Sequence, residues 1–76
     1  MPHVIVKMYA GRSEKQKSAL AEAITRVVME GAACTRDAVS VAIEDISPSQ
    51  WNETVYKPDI LGRPESLYKK PGYDPL

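Results

Sequence analysis

Residues 2–16, PHVIVKMYAGRSEKQ, decide the fold by where their period changes. From Pro2 to Tyr9, Val4, Val6 and Met8 fall on one side and His3, Ile5, Lys7 and Tyr9 on the other. That period of two predicts a β-strand, apolar on much of both faces. Ala10, Gly11 and Arg12 break the pattern, and Ser13 followed three residues later by Gln16 is a capping box, with Glu14 favourable in the first helical turn. A helix follows. Leu20, Ile24, Val27, Val28 and Gly31 recur at helical spacing, and Glu22 with Arg26 forms an i,i+4 pair on the wet side. Gly31 and the stretch ACTRD end the helix, after which AVSVAIEDI (residues 38–46) alternates Val39, Val41 and Ile43 with Ser40, Ala42 and Glu44 as a second strand. A strand, a helix of about five turns and a strand have the spacing of a right-handed parallel βαβ unit. The expected fold class is α+β, a single domain over residues 1–76 with the βαβ unit at 2–46.

One helix covers one face of a two-stranded sheet, which leaves the other face bare and the edges open. At 76 residues the chain is also short. Domains of this size bury only about 60% of the surface their unfolded chains expose. They are usually stapled by disulfides or a metal, or they oligomerise. With one cysteine, Cys34, and one histidine, His3, neither an internal disulfide nor a His/Cys zinc set can form. Oligomerisation is the expected route, a homodimer first and a trimer of dimers second. Cys34 itself reads as a small buried hydrophobe near the helix end.

Ten basic and ten acidic residues balance, so no electrostatic footprint points to nucleic acid or an anionic membrane. No apolar run approaches the roughly 20 residues of a membrane span, and the N-terminus lacks the pattern of a secretory signal. A cytoplasmic protein with a reduced thiol is expected.

Residues 47–76 differ in character. They hold five of the six prolines, three of the four tyrosines and the single tryptophan, without a sustained period. Trp51, Tyr56, Ile60, Leu61, Leu67 and Tyr68 are too much apolar surface to leave in water, so an ordered arm is expected. It either lies on a neighbouring subunit or wraps over its own βαβ unit.

Pro2 has two readings. A proline is tolerated as the first residue of a strand, where its missing N–H costs nothing. Alternatively, removal of Met1 leaves Pro2 as a free secondary amine, which is a base and a nucleophile. Abstracting a proton beside a carbonyl works best with a base whose pKa lies near the working pH. A proline amine is too basic until an apolar wall or neighbouring cations disfavour its ammonium form. Trp51 and Arg12 are candidates for those two influences.

Taken together, Pro2 after the methionine, VIVKMYAGRSEKQK running into one helix, and AVSVAIEDI returning to Trp51 resemble the 4-oxalocrotonate tautomerase family. The ending LYKKPGY is similar to the short phenylpyruvate-type tautomerases of that superfamily. The resemblance implies a βαβ subunit completed by oligomerisation, no cofactor, and a 2-oxo acid or enol as small-molecule substrate. It implies that Pro2 shuttles a proton between carbon and oxygen, that Arg12 binds a substrate carboxylate, and that Trp51 walls the pocket. One departure stands out: where the dicarboxylate tautomerases carry a second arginine in strand two, this chain has Ser40. The superfamily also contains hydrolytic dehalogenases, in which a carboxylate activates water; Glu53 lies where one such carboxylate sits, whereas Tyr9 stands where those enzymes place an additional arginine. A third reading is a non-catalytic oligomeric binding module in which the Pro2 nitrogen remains an amide.

Overall fold

A computed structural model describes residues 1–76. Strand β1 spans His3–Tyr9, helix α1 Glu14–Gly31 and strand β2 Ser40–Ile46, with a short 3-10 turn at Arg36–Ala38 before β2. The capping box forms as the sequence predicts: the Gln16 N–H donates to Ser13 Oγ at 3.1 Å, and the Ser13 N–H donates to Gln16 Oε1 at 2.9 Å. At the other end of α1 the Cys34 N–H donates to the Met29 carbonyl at 3.1 Å, while Ala33 adopts a left-handed φ of 52°. That closure turns the chain back toward the sheet. Cys34 is half-buried beside the helix end, as its small apolar character suggests.

The strands are parallel, with His3 opposite Ser40, Ile5 opposite Ala42 and Tyr9 opposite Ile46. Successive side chains alternate between faces, so the register sorts them. Lys17 of α1 reaches Asp45 at 2.9 Å, which places α1 over the face carrying Met8, Val41 and Ile43. The opposite face carries Ile5, Lys7 and Tyr9. There the chain after β2 folds back.

That return is more regular than the sequence suggests. A 3-10 turn at Pro48–Gln50 leads through Trp51 into a π-helix at Asn52–Leu61, and a further 3-10 turn follows at Pro64–Ser66. Pro58 lies inside the π-helix. In an α-turn its ring would clash with the carbonyl four residues back; the wider π-turn relieves that contact, and the Gly62 N–H closes on the Lys57 carbonyl, five residues back, at 2.9 Å. Gly62 is required there, because a Cβ would sit 2.6 Å from the Pro58 carbonyl oxygen.

The π-helix supplies the two buried residues of the chain, Val55 at 5% and Tyr56 at 6% exposure. Lys7 of β1 pairs with Asp59 at 2.5 Å. The first half of the arm therefore covers its own sheet. Of the apolar residues expected to be covered, Trp51, Ile60 and Leu67 are half-buried, whereas Leu61 and Tyr68 stay exposed. The radius of gyration is 13.9 Å. A compact chain of this length has about 11 Å, so the subunit is flat and open, in keeping with the surface that a two-stranded sheet leaves uncovered.

Candidate active site

Polar and aromatic side chains gather at both ends of β1. At its start, Pro2 is half-buried and its carbonyl accepts the Ser40 N–H at 3.1 Å. His3 Nδ1 and Ser40 Oγ share a hydrogen bond of 2.6 Å, a consequence of their being register partners. The Met1 ammonium donates to the Ala38 carbonyl. With Met1 in place the Pro2 nitrogen is an amide.

At the far end of β1 the backbone turns through Gly11, whose φ of 126° favours glycine. This turn places Arg12 so that its guanidinium donates to the Tyr9 carbonyl at 3.1 Å while remaining exposed to solvent. The Tyr9 ring meets Trp51 edge to face, with centroids 5.2 Å apart and planes at 82°. Trp51 in turn donates its indole N–H to the Tyr73 hydroxyl at 3.1 Å. Tyr9, Trp51, Tyr73 and Pro75 line a cavity of about 320 Å³. An edge-to-face aromatic pair contributes about 0.5–1.5 kcal/mol beyond its buried area, so this wall has a defined shape as well as an apolar surface.

Arg12 and Trp51 thus share one end of the subunit, bridged by Tyr9. Pro2 lies at the other: the seven residues of β1 separate it from Arg12, and at about 3.3 Å per residue the two are roughly 20 Å apart. Glu53 is exposed and its carboxylate is held by Lys57 at 2.6 Å. No group of three or more His, Cys, Asp or Glu side chains is placed to hold a metal ion. No helix is long and apolar enough to cross a membrane.

Two further cavities flank the arm. One of about 440 Å³ is lined by Ile5, Lys7, Val55, Asp59 and Arg63, and its cations are partly neutralised by the Lys7–Asp59 pair. Another, of about 320 Å³, lies among Tyr56, Ile60, Leu67, Pro71 and their neighbours. Burial there pushes the Tyr56 phenol above its ordinary 10.0, with smaller contributions from Asp74 and Tyr73.

Sequence reasoning singled out Pro2, Arg12 and Trp51 but not Tyr73 or His3. Tyr73 sits in the segment LYKKPGY, where nothing in the local pattern points back to residue 51, 22 positions earlier in the chain. His3 had a signal in the strand register, because an alternating strand opposite Ser40 puts a polar side chain beside a polar side chain.

Residues 2–52, more than half the chain, match the family described as tautomerase enzyme. A probable tautomerase of Xylella fastidiosa is 43% identical over 76 residues, covering 100% of this chain and 93% of its own. Among solved structures, TomN, a 4-oxalocrotonate tautomerase homologue in the tomaymycin biosynthetic pathway, superposes with a TM-score of 0.64 at 34% identity, covering 66% of this chain and 77% of its own. A structure concerned with trans-3-chloroacrylic acid dehalogenase activity gives a TM-score of 0.62 at 28% identity over 64% of this chain and 92% of its own. With its parallel βαβ unit and a matched region that opens at Pro2, the chain belongs to the tautomerase family.

Proposed function

We propose that this protein is a cofactor-independent keto–enol tautomerase of 2-oxo acids and their enols, acting through the Pro2 amine once Met1 is removed. The observation that carries this reading is the family match over residues 2–52, which begins at the residue whose nitrogen would be the base. In ketonisation the Pro2 nitrogen accepts the enol hydroxyl proton, leaving an enolate whose oxygen lone pair forms the carbonyl as the carbon is protonated. The electron pair of the C=C bond then takes the same proton from the prolinium at carbon. The amine is regenerated, so each turnover balances.

Arg12 binds the substrate carboxylate and Trp51 keeps the pocket apolar. Within one subunit the length of β1 keeps Arg12 from a substrate held at Pro2. The reading therefore requires a homo-oligomer in which Arg12, Tyr9 and Trp51 of one subunit face Pro2 of another; a dimer is the simplest closed arrangement and a trimer of dimers the next. An incomplete subunit of this kind has no need of a large core of its own.

The decisive experiment compares the Met1-retaining protein with the processed one, each verified by intact mass, in ketonising phenylenolpyruvate. The processed form should turn the enol over, Pro2→Ala should keep a weakened activity through its primary amine, and the Met1-retaining form should be silent. Equal rates in all three forms would return Pro2 to the role of strand opener.

A second reading, hydration or dehalogenation with Glu53 activating water, is favoured by the likeness to the dehalogenase structure. Against it stands the ion pair that engages Glu53 with Lys57. Release of halide from trans-3-chloroacrylate by the wild type and not by Glu53→Gln would establish it.

A further inference from the structure

We infer that Ser40 is a second catalytic residue, donating a hydrogen bond to the substrate oxygen as it becomes anionic, and that His3 positions the Ser40 hydroxyl for that task. The inference rests on the Pro2 reading, because negative charge collects on the oxygen between loss of its proton to Pro2 and formation of the carbonyl. A donor aimed at that oxygen has to lie at the Pro2 end of the sheet. Arg12 of the same subunit is at the opposite end of β1.

What the chain places beside Pro2 is the His3–Ser40 pair. Ser40 is tied to Pro2 by its backbone, N–H to carbonyl at 3.1 Å, and to His3 by its side chain at 2.6 Å. Parallel pairing sets His3 directly across from Ser40, so both side chains stand on one face of the sheet at its Pro2 end. Both are exposed, as groups that meet a substrate must be. The chemistry of the pair then decides its use. A histidine N–H at Nδ1 donating to Ser40 Oγ occupies an oxygen lone pair and leaves the hydroxyl hydrogen free to point at the substrate. No proton leaves Ser40. It holds the charge while Pro2 moves the proton.

The test uses processed protein of verified mass and the ketonisation of phenylenolpyruvate. Ser40→Ala should lower kcat roughly 100-fold, the effect of losing one donor to a developing oxyanion, with KM little changed. Ser40→Thr keeps the hydroxyl on a β-branched side chain suited to a strand and should restore most of the rate. His3→Asn retains a donor at the position of Nδ1 and should stay near wild type. His3→Asp, which offers an acceptor and draws the hydroxyl hydrogen toward itself, should fall toward the Ser40→Ala level. A structural role for His3 predicts no such split between Asn and Asp, and thermal unfolding of each variant separates loss of fold from loss of chemistry. Wild-type kcat in Ser40→Ala, or equal rates in His3→Asn and His3→Asp, would overturn the assignment. The Met1-retaining protein reads Pro2 independently. Its silence beside a fully active Ser40→Ala removes Ser40 alone, whereas its activity at the wild-type level removes the Pro2 reading and this inference with it.

Discussion

The βαβ unit and the arm divide the work of the subunit unequally. Residues 2–46 hold the strands, the α-helix, the parallel register and most of the proposed chemistry, yet none of their side chains is fully buried. Residues 47–76 are proline-rich and lack a sustained sequence period, yet their π-helix contributes Val55 and Tyr56, the two residues withdrawn from water. Sequence periodicity is therefore no guide to burial in this chain. The periodic segment builds a scaffold with two usable ends, and the aperiodic segment seals one face of it.

If that division is real, activity and stability should respond to different residues, and the largest effect should be on activity. Arg12→Ala removes a solvent-exposed guanidinium held by one hydrogen bond to the Tyr9 carbonyl. It should cost about 2–4 kcal/mol in kcat/KM for carboxylate substrates, the range for losing a donor at developing charge, and leave the melting temperature in place. Unchanged kcat/KM in a folded Arg12→Ala protein would reduce the residue to a cation flanking a helix.

Stability should show the converse. Val55→Ala deletes two buried methyl groups under the arm and should destabilise by about 2 kcal/mol, counting transfer and residual cavity together. The same substitution at Val27 on α1, which is 68% exposed, should stay within about 0.5 kcal/mol. Chemical denaturation of both variants measures the contrast. Equal losses would mean that α1 is covered in solution by something the isolated subunit does not contain.

The same contrast explains what could be read in advance. Strand alternation from Val4 to Met8, the Ser13–Gln16 capping box and the Gly31 stop are local patterns, and each appears in the structure within a residue or two of its expected place. The π-helix had no such pattern. Its shape follows from an interior proline and a tight approach at Gly62, which are tertiary and backbone constraints rather than a hydrophobic period. At the candidate site, Arg12 and Trp51 are expectations from family resemblance. Their bridge through Tyr9 and the Tyr73 hydrogen bond depended on how the chain returns over β1.

Two glycines refine the comparison at a smaller scale. Gly62→Ala drives a Cβ to 2.6 Å from one carbonyl oxygen and 3.0 Å from another, both backbone atoms with little freedom to yield. A loss of about 1–3 kcal/mol is expected, as for other overpacked sites. At Gly31, in the last turn of α1, a Cβ meets nothing within 4 Å. Gly31→Ala should therefore stabilise, by about 0.5–1 kcal/mol through helix propensity. If both substitutions stabilise, the π-turn is not the conformation the arm keeps in solution.

The smallest effects separate the halves by pH. In the βαβ unit, Arg36 grips both carboxylate oxygens of Glu22, at 3.0 and 2.5 Å, and holds its pKa below the ordinary 4.5, with Arg26 adding a weaker pull. A depressed carboxylate contributes stability above its ordinary pKa and loses it as the pH falls through that value toward the folded one. Because the pair is open to solvent, the contribution is small and screened by salt. In the arm, burial raises the Tyr56 phenol above 10.0. Its contribution is complete below that value and fades as the pH climbs through it. Lys17, raised above 10.5 first by its hydrogen bond to Asp45, adds to the alkaline limb from the βαβ side. Melting temperatures of the wild type, Glu22→Gln and Tyr56→Phe across pH therefore report on the two halves separately. The Glu22→Gln curve should run below wild type near neutrality and converge with it in acid, with the gap narrowing in high salt. Tyr56→Phe should leave the acid limb untouched and flatten the fall above pH 10, and a Tyr56→Phe curve that still falls like wild type would assign the alkaline limb to the Lys17–Asp45 tie between α1 and β2.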